Sequence, residues 1–203
     1  HRPMNRASYD IIAPRWEHAR QSLSDAEQRV LGMLTVGLAP GATILDLGCG
    51  TGRPIAEHLV AQQFGVTGVD QSERMLDFAR RRLPAQRWIL ADLATFEPPG
   101  SFGAAIAWDS LFHVPRHAHA IILRRVREAL APGGRFALTV GGSDHPPFED
   151  TMFGASFFYD SHAPDVARRL VEASGFTIVH SEFVDLPTAG RDKGRYAIVA
   201  LAA

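Results

Sequence analysis

Three glycines spaced two apart, Gly48, Gly50 and Gly52, lie in the segment ILDLGCGTG, residues 44–52, which leads into the helical pattern Pro54, Ile55, Leu59, Val60. Glycines at the end of a strand let the backbone turn tightly and approach a ligand with no Cβ in the way. The segment therefore reads as a binding loop. Two carboxylates stand at corresponding places further on: Asp70 closes the run Gly65 to Val69, and Asp92 follows the run Arg87 to Ala91. At the carboxyl edge of an open α/β sheet, an acid such as Asp70 can accept hydrogen bonds from both hydroxyls of a ribose. The other use of such an acid is a helix cap, which Ser72 already supplies. Asp92, in WILADL, can accept from an adenine amino group or cap a helix, and the sequence leaves both open.

The two commonest phosphate loops do not fit. A dinucleotide site places its third glycine three positions after the second, where this chain has Arg53. A Walker loop needs a Lys-Ser or Lys-Thr pair, and none follows.

The elements that must position these residues are legible from apolar periodicity, which alternates between short strand-like runs and longer helical patterns. Seven strands are expected: Thr43 to Leu47, Gly65 to Val69, Arg87 to Ala91, Ala104 to Trp108, Arg135 to Val140, Thr177 to Phe183 and Arg195 to Leu201. Ser72 opens a helix burying Met75, Leu76, Ala79 and Leu83, and Pro84 closes it. A second helix runs from about Ala118 to Leu130 and ends at Pro132-Gly133-Gly134. Ser24 and Glu27 have capping-box spacing for a helix burying Val30, Leu31, Leu34 and Leu38. A shorter segment before it carries Tyr9, Ile11, Ile12 and Trp16, and residues ahead of Met4 are given no weight.

One connection, Gly141 to His162, exceeds the length usual for structureless loops in compact domains. It carries Phe148, Phe153, Phe157, Phe158 and Tyr159, too many aromatics for a wholly mobile loop, so it should fold onto something.

Bulk properties narrow the class. The chain has 203 residues, 46% hydrophobic and 21% charged, enough for one substantial core and one domain spanning residues 1–203. Lys and Arg total 21 against 22 for Asp and Glu, so no global positive field attracts a nucleic acid. Arg80-Arg81-Arg82, with Glu73 and Asp77 upstream, reads as a solvated helix face. The single cysteine, Cys49, cannot form an internal disulfide. With no membrane span and no signal-peptide pattern, the cytoplasm is the default expectation, with neither membrane nor nucleic acid as partner. Oligomeric state is not legible.

Taken in order, LDLGCGTG, VTGVDQSERML, ADL, LAPGGRFALTV and GFTIVHSE resemble the class I S-adenosylmethionine-dependent methyltransferases over residues 9–201. The resemblance implies a Rossmann-like α/β fold: a seven-stranded, mostly parallel sheet in the order 3-2-1-4-5-7-6 with strand 7 antiparallel and helices on both faces. It implies S-adenosylmethionine as cofactor and S-adenosylhomocysteine as product. The loop from Gly48 through Cys49 and Gly50 to Gly52 would hold the methionine moiety with Asp46 at its base. Asp70 would bind the ribose, Gln71 and Met75 would flank the adenine, and Asp92 with Leu93 would bond its edge. Cys49 then needs no redox role.

In this architecture WDSLFHVPR, residues 108–116, lies beneath the methyl group, which makes Trp108, Asp109 and His113 the first candidates around the reacting atoms. His113 could take a proton from a hydroxyl or amine near neutral pH, or simply line the pocket. His113, His117 and His119 are not expected to bind metal, because Pro115 and a helix start intervene with no cysteine or obvious acidic fourth ligand nearby. His145-Pro146-Pro147-Phe148 has a superficial likeness to the Asp-Pro-Pro-Tyr motif of base-modifying methyltransferases, but there the motif follows the fourth strand and here the fifth. The acceptor is expected to be a small molecule, partly apolar and able to carry an amine. It would be roofed by Tyr9 and Trp16 from the N-terminal helical segment, residues 1–41, and by the connection 141–162 with Phe148, Glu149 and Tyr159. Two rivals remain: a nucleoside-binding regulator without turnover, and an aminopropyltransferase, which would need more acids after the fourth strand than Asp109 alone.

Overall fold

The computed structural model describes residues 2–190 and 192–203, with side chains from Met4 onward. Two helices, α1 (Arg2–Ala19) and α2 (Asp25–Thr35), precede a run of alternating elements: β1 (Thr43–Leu47), α3 (Ile55–Ala61), β2 (Gly65–Asp70), α4 (Glu73–Arg82), β3 (Arg87–Leu90) and β4 (Phe102–Ala107). Two single-turn 3-10 segments lead to α5 (His119–Ala129) and β5 (Leu130–Gly141). The chain then forms β6 (Phe148–Met152), β7 (Ala155–Tyr159), α6 (Pro164–Ala173), β8 (Phe176–Asp185) and β9 (Arg195–Ala202).

Seven strands form one sheet in the order β3-β2-β1-β4-β5-β9-β8, which is the order expected from the resemblance once the extra hairpin is counted. Pairs from β3 through β5 are parallel, and β9 runs antiparallel to both neighbours. Because side chains alternate along a strand, each inner strand feeds two layers. Leu45, Ala105, Phe136, Leu138 and Ile198 pack with α5 and α6 on one face. Ile44, Ala104, Ile106, Ala137 and Val199 pack with α2 and α3 on the other.

The expected helix starts are present. Ser24 accepts from the Glu27 amide while the Glu27 carboxylate accepts from the Ser24 amide, closing the capping box. Ser72 Oγ accepts from the Met75 amide at the head of α4.

Three features differ from the sequence reading. The N-terminal helix is longer than its apolar pattern indicated, because Pro14 sits inside it and interrupts the pattern. Proline has no amide to give to the Asp10 carbonyl, four residues back; the Arg74 guanidinium bonds that carbonyl instead, at 3.0 Å. β5 begins earlier than expected, since Leu130 already pairs with Phe102 before an irregularity shifts the register to Ala104 with Arg135.

The third difference is the connection 141–162, which contains a hairpin. β6 and β7 are joined by Phe153-Gly154, both with positive φ (49° and 78°), as a two-residue hairpin turn requires. The hairpin folds onto α1: Phe157 is fully buried among Ile12, Ala13 and Met75. Burial of one such aromatic contributes about 1.5–3 kcal/mol. Asn5 fixes the register of the contact, accepting from the Phe158 amide at 2.8 Å and donating to its carbonyl at 3.1 Å.

Candidate active site

The glycine loop is pinned to the neighbouring strand by its own backbone. Gly48 and Cys49 both donate to the Val69 carbonyl, at 2.7 and 3.0 Å. A Cβ at Gly48 would lie 2.3 Å from the Ser110 Cβ, so only glycine fits between β1 and the segment after β4. At Gly50, with φ +57°, a Cβ would enter a space whose nearest atom is Trp16 Nε1 at 3.5 Å. That space is part of a cleft lined by Tyr9, Trp16, Asp46, Asp70, Asp92 and Asp109 among others.

Asp70 ties the cleft together. Its Oδ2 accepts from the Gly50 amide at 2.9 Å and its Oδ1 from the Ser72 amide at 3.0 Å, so one carboxylate braces the loop and the start of α4. With the Gln71 amide as a third donor, the carboxylate still has acceptor capacity left. Burial pushes its pKa up to about 6, against the opposing pull of the Ser72, Gly50 and Gln71 amides. Asp46, also buried, is pushed up to about 7 by burial and then by the charge of Asp70. The repulsion between the two carboxylates favours a ligand that brings hydrogen-bond donors or positive charge.

The cleft is also lined by Tyr9, His113, Asp109 and Ser110. Burial depresses the His113 pKa to about 4, so the ring is neutral at physiological pH. Its Nδ1 lies 3.0 Å from the Phe158 carbonyl, which can only accept, and 3.4 Å from the Asn5 amide nitrogen; the shorter contact gives Nδ1 the proton. Nε2 is then the bare nitrogen, and Tyr9 donates its hydroxyl to it at 2.7 Å. Burial, followed by the charge of Asp70, raises the Tyr9 pKa well above its ordinary value, so the phenol keeps its proton.

Asp109 has φ +51°, the left-handed region that residues other than glycine enter only when their surroundings hold them there. The holding groups are Thr139, which accepts from the Asp109 amide at 2.7 Å and donates to Oδ1 at 3.2 Å, and Arg195, 2.6 Å from Oδ2. Arg195 also pairs with Asp185 at 2.6 Å. Burial raises the Asp109 pKa while Arg195 pulls it back.

Most of the residues singled out from the sequence converge here. Asp46, Gly48, Cys49, Gly50, Asp70, Gln71, Met75, Asp92, Leu93 and Trp108 line the cleft, as do Tyr9, Trp16, Asp109 and His113. Asp92 also accepts from the Ala94 amide at 2.9 Å, bracing its own turn. Gly52 is not among the residues lining the cleft; a Cβ there would make ordinary contact with Trp88 and Ala79 at 3.4 and 3.5 Å, and its φ of +80° is what favours glycine. Phe148 and Tyr159 stack on each other, ring centroids 5.1 Å apart, and line a separate cavity beside Arg195 and Lys193. The His113 ring, 4.7 Å from Tyr159, lies between that cavity and the main cleft. Glu149 lies on β6, exposed, and lines neither.

Sequence reasoning missed Arg20, Arg53 and Ser110, which also line the cleft, and Asn5 and Arg195, which support it. Ser110 had a local signal, its place three residues after β4, whose neighbour β1 ends in the glycine loop. The two arginines had none. Among the described residues, Trp108 Nε1 and Arg53 Nε are buried donors without a partner in the protein, consistent with groups that complete their bonds to a ligand. No cluster of three or more His, Cys, Asp or Glu there could hold a metal ion, and no helix is long and apolar enough to cross a membrane.

Residues 44–134 match a family model described as a methyltransferase domain. That segment runs from the strand of the glycine loop to the Gly133-Gly134 turn, just under half of the chain. Among curated proteins the chain is similar to 27-O-demethylrifamycin SV methyltransferase of Amycolatopsis mediterranei (strain S699), 33% identical over 135 residues, 61% of this chain and 48% of that protein. It is also similar to trans-aconitate 2-methyltransferase of Variovorax paradoxus (strain S110), 37% identical over 126 residues, 58% of this chain and 45% of that protein. The chain thus spans about half the length of the curated relatives it matches. Among solved structures, 1,6-didemethyltoxoflavin-N1-methyltransferase of Burkholderia thailandensis, with bound 1,6-didemethyltoxoflavin and S-adenosylhomocysteine, superposes with a TM-score of 0.67. It is 25% identical, covering 88% of this chain and 79% of that one.

Proposed function

We propose that this protein transfers a methyl group from S-adenosylmethionine to a small-molecule acceptor. The observation that carries this reading is the Gly48–Gly50 turn locked to Asp70, which leaves a space bare of side chains beside two buried carboxylates. The residues fit the cofactor part by part. The loop and Asp46 would receive the methionine backbone, with the Arg20 and Arg53 guanidiniums as the cations of the cleft for its carboxylate. Asp70 would accept from the ribose hydroxyls, and Gln71, Met75, Asp92 and Leu93 would enclose the adenine. When bound, the cofactor supplies an electrophilic methyl carbon on a sulfonium.

The chain's own task is then to hold a nucleophile in line and keep water out. Tyr9, Trp16 and the α1 helix cover the cleft, and α1 is fastened at both ends of its span: to β7 through Asn5 and Ser8, and to α4 through Asp10 and Glu17. Asp109, already committed to Arg195, gives little support to a polyamine site of the aminopropyltransferase kind.

Incubation of purified protein with radiolabelled S-adenosylmethionine and a small-molecule extract tests the reading. Label should appear in an acceptor. Cofactor binding without any transfer would favour a nucleoside-binding regulator instead.

A further inference from the structure

Resting on the reading above, we infer that the acceptor end of the cleft selects a nucleophile that carries its own hydrogen, an amine N–H or a hydroxyl O–H, over one that offers only lone pairs, such as a carboxylate. The argument is a count of hydrogen-bond polarity. Every polar group on the wall formed by Tyr9, His113, Ser110 and Asp109 has its hydrogen already bound inside the protein.

The Tyr9 hydroxyl has one hydrogen, and it goes to His113 Nε2 at 2.7 Å. The alternative, a hydrogen on Nε2 with Tyr9 free to donate into the cleft, would set a bare Nδ1 lone pair to lone pair against the Phe158 carbonyl at 3.0 Å, with only the more distant Asn5 Nδ2, at 3.4 Å, to donate to it. Asn5 reinforces the arrangement by donating to the carbonyls of Phe158 and His113 at 3.1 and 3.3 Å. Ser110 Oγ gives its only hydrogen to the Leu47 carbonyl at 2.9 Å. Asp109, ion-paired with Arg195, has acceptor capacity alone.

What faces the acceptor from this wall is therefore phenol, hydroxyl and carboxylate oxygens, all able to accept and none with a hydrogen to give. The other donors lining the cleft are Arg20, Arg53, Gln71 and the unpartnered Trp108 Nε1, and the Arg20 charge reaches Asp109. Arg20 is tied to Glu27 through both terminal nitrogens, at 3.3 and 2.5 Å. Arg53 and Gln71 come from the loops after β1 and β2, and Trp108 packs in the α2–α3 layer. A carboxylate against Tyr9 and Asp109 would meet only lone pairs and a like charge, whereas an amine or alcohol can donate to both.

The arrangement can be read directly from the full-length protein saturated with S-adenosylhomocysteine. Long-range proton–nitrogen NMR should find His113 with its proton on Nδ1. An Nε2-protonated His113 would overturn the inference, since Tyr9 would then be free to donate. Saturation-transfer NMR with matched fragments reads the selectivity: benzylamine, benzyl alcohol, benzyl methyl ether and benzoate, with trans-aconitate as a polycarboxylate probe. Benzylamine or benzyl alcohol should give the strongest transfer, and Tyr9→Phe should weaken it about tenfold, the equivalent of one hydrogen bond. Benzoate, trans-aconitate or the ether binding as well as the hydrogen-bearing pair would overturn it. Calorimetry with S-adenosylhomocysteine on the same sample separates the two levels. Loss of that binding would defeat the methyl-transfer reading, while intact binding with the reversed fragment order would defeat this inference alone.

Discussion

The Gly50 amide donates to Asp70 Oδ2 at 2.9 Å, so the loop after β1 and the end of β2 share one carboxylate. Removing that carboxylate does two things at once. It deprives the Gly50, Ser72 and Gln71 amides of their partner, and it removes the acceptor proposed for the ribose. Asp70→Ala should weaken S-adenosylhomocysteine binding by about 1.5–3 kcal/mol, measured by calorimetry, with the circular dichroism spectrum retained. Equal affinity in the two proteins would show that Asp70 only braces the backbone.

The same carboxylate gives the binding a pH dependence with a defined sign. Hydroxyl donors favour the ionised form, and burial sets the Asp70 pKa at about 6. Affinity should fall as pH drops through about 6, with Asp70→Asn flattening that part of the profile and leaving the Asp46 contribution near pH 7. A profile of unchanged shape in the variant would remove Asp70 as its origin.

Gly48 and Ser110 test the packing beneath the loop. Gly48→Ala would bring its Cβ within 2.3 Å of the Ser110 Cβ, in a left-handed conformation that alanine also disfavours. Loss of cofactor binding is expected. Ser110→Gly in the same chain should restore part of it by removing the clash, and failure of any recovery would place the defect in the backbone conformation alone.

His119 offers a stability test independent of the site. It is buried, bonded to the Val114 carbonyl at 2.8 Å, and its pKa is held at about 4 by burial. An imidazole depressed on folding leaves stability intact above the unfolded pKa near 6.5 and withdraws it as pH falls toward 4. Asp46 and Asp70, with raised pKa values, work in the opposite direction over the same window, so the wild-type curve is a sum of opposing terms. The difference between wild type and His119→Gln isolates the histidine. In urea titrations the variant should lose less stability between pH 6.5 and pH 4, by about 3 kcal/mol at most. Parallel curves would mean that His119 protonates without cost.

How much of this was legible in the sequence follows from distance along the chain. The glycine loop, the Ser24–Glu27 capping box and the Asp70–Ser72 bracing are local patterns, and local patterns survive in one dimension. The β6–β7 hairpin was missed because its turn begins with Phe153, a residue seldom found at a positive φ, so Phe153-Gly154 carried no turn signal. Asn5 with Phe158, and Asp109 with Arg195, join residues 153 and 86 positions apart, and nothing nearby in sequence announces either pair. The placement of Phe148 and Tyr159 beyond the His113 ring, outside the main cleft, has the same origin: it depends on how the hairpin docks on α1.

The central claim is that the cleft is an S-adenosylmethionine site, and titration calorimetry of the purified chain with S-adenosylhomocysteine, run beside NAD, tests it most directly. Binding of S-adenosylhomocysteine at one site per chain in the micromolar range or tighter, with no heat from NAD, is the expected result. Binding of NAD with none of S-adenosylhomocysteine would contradict it.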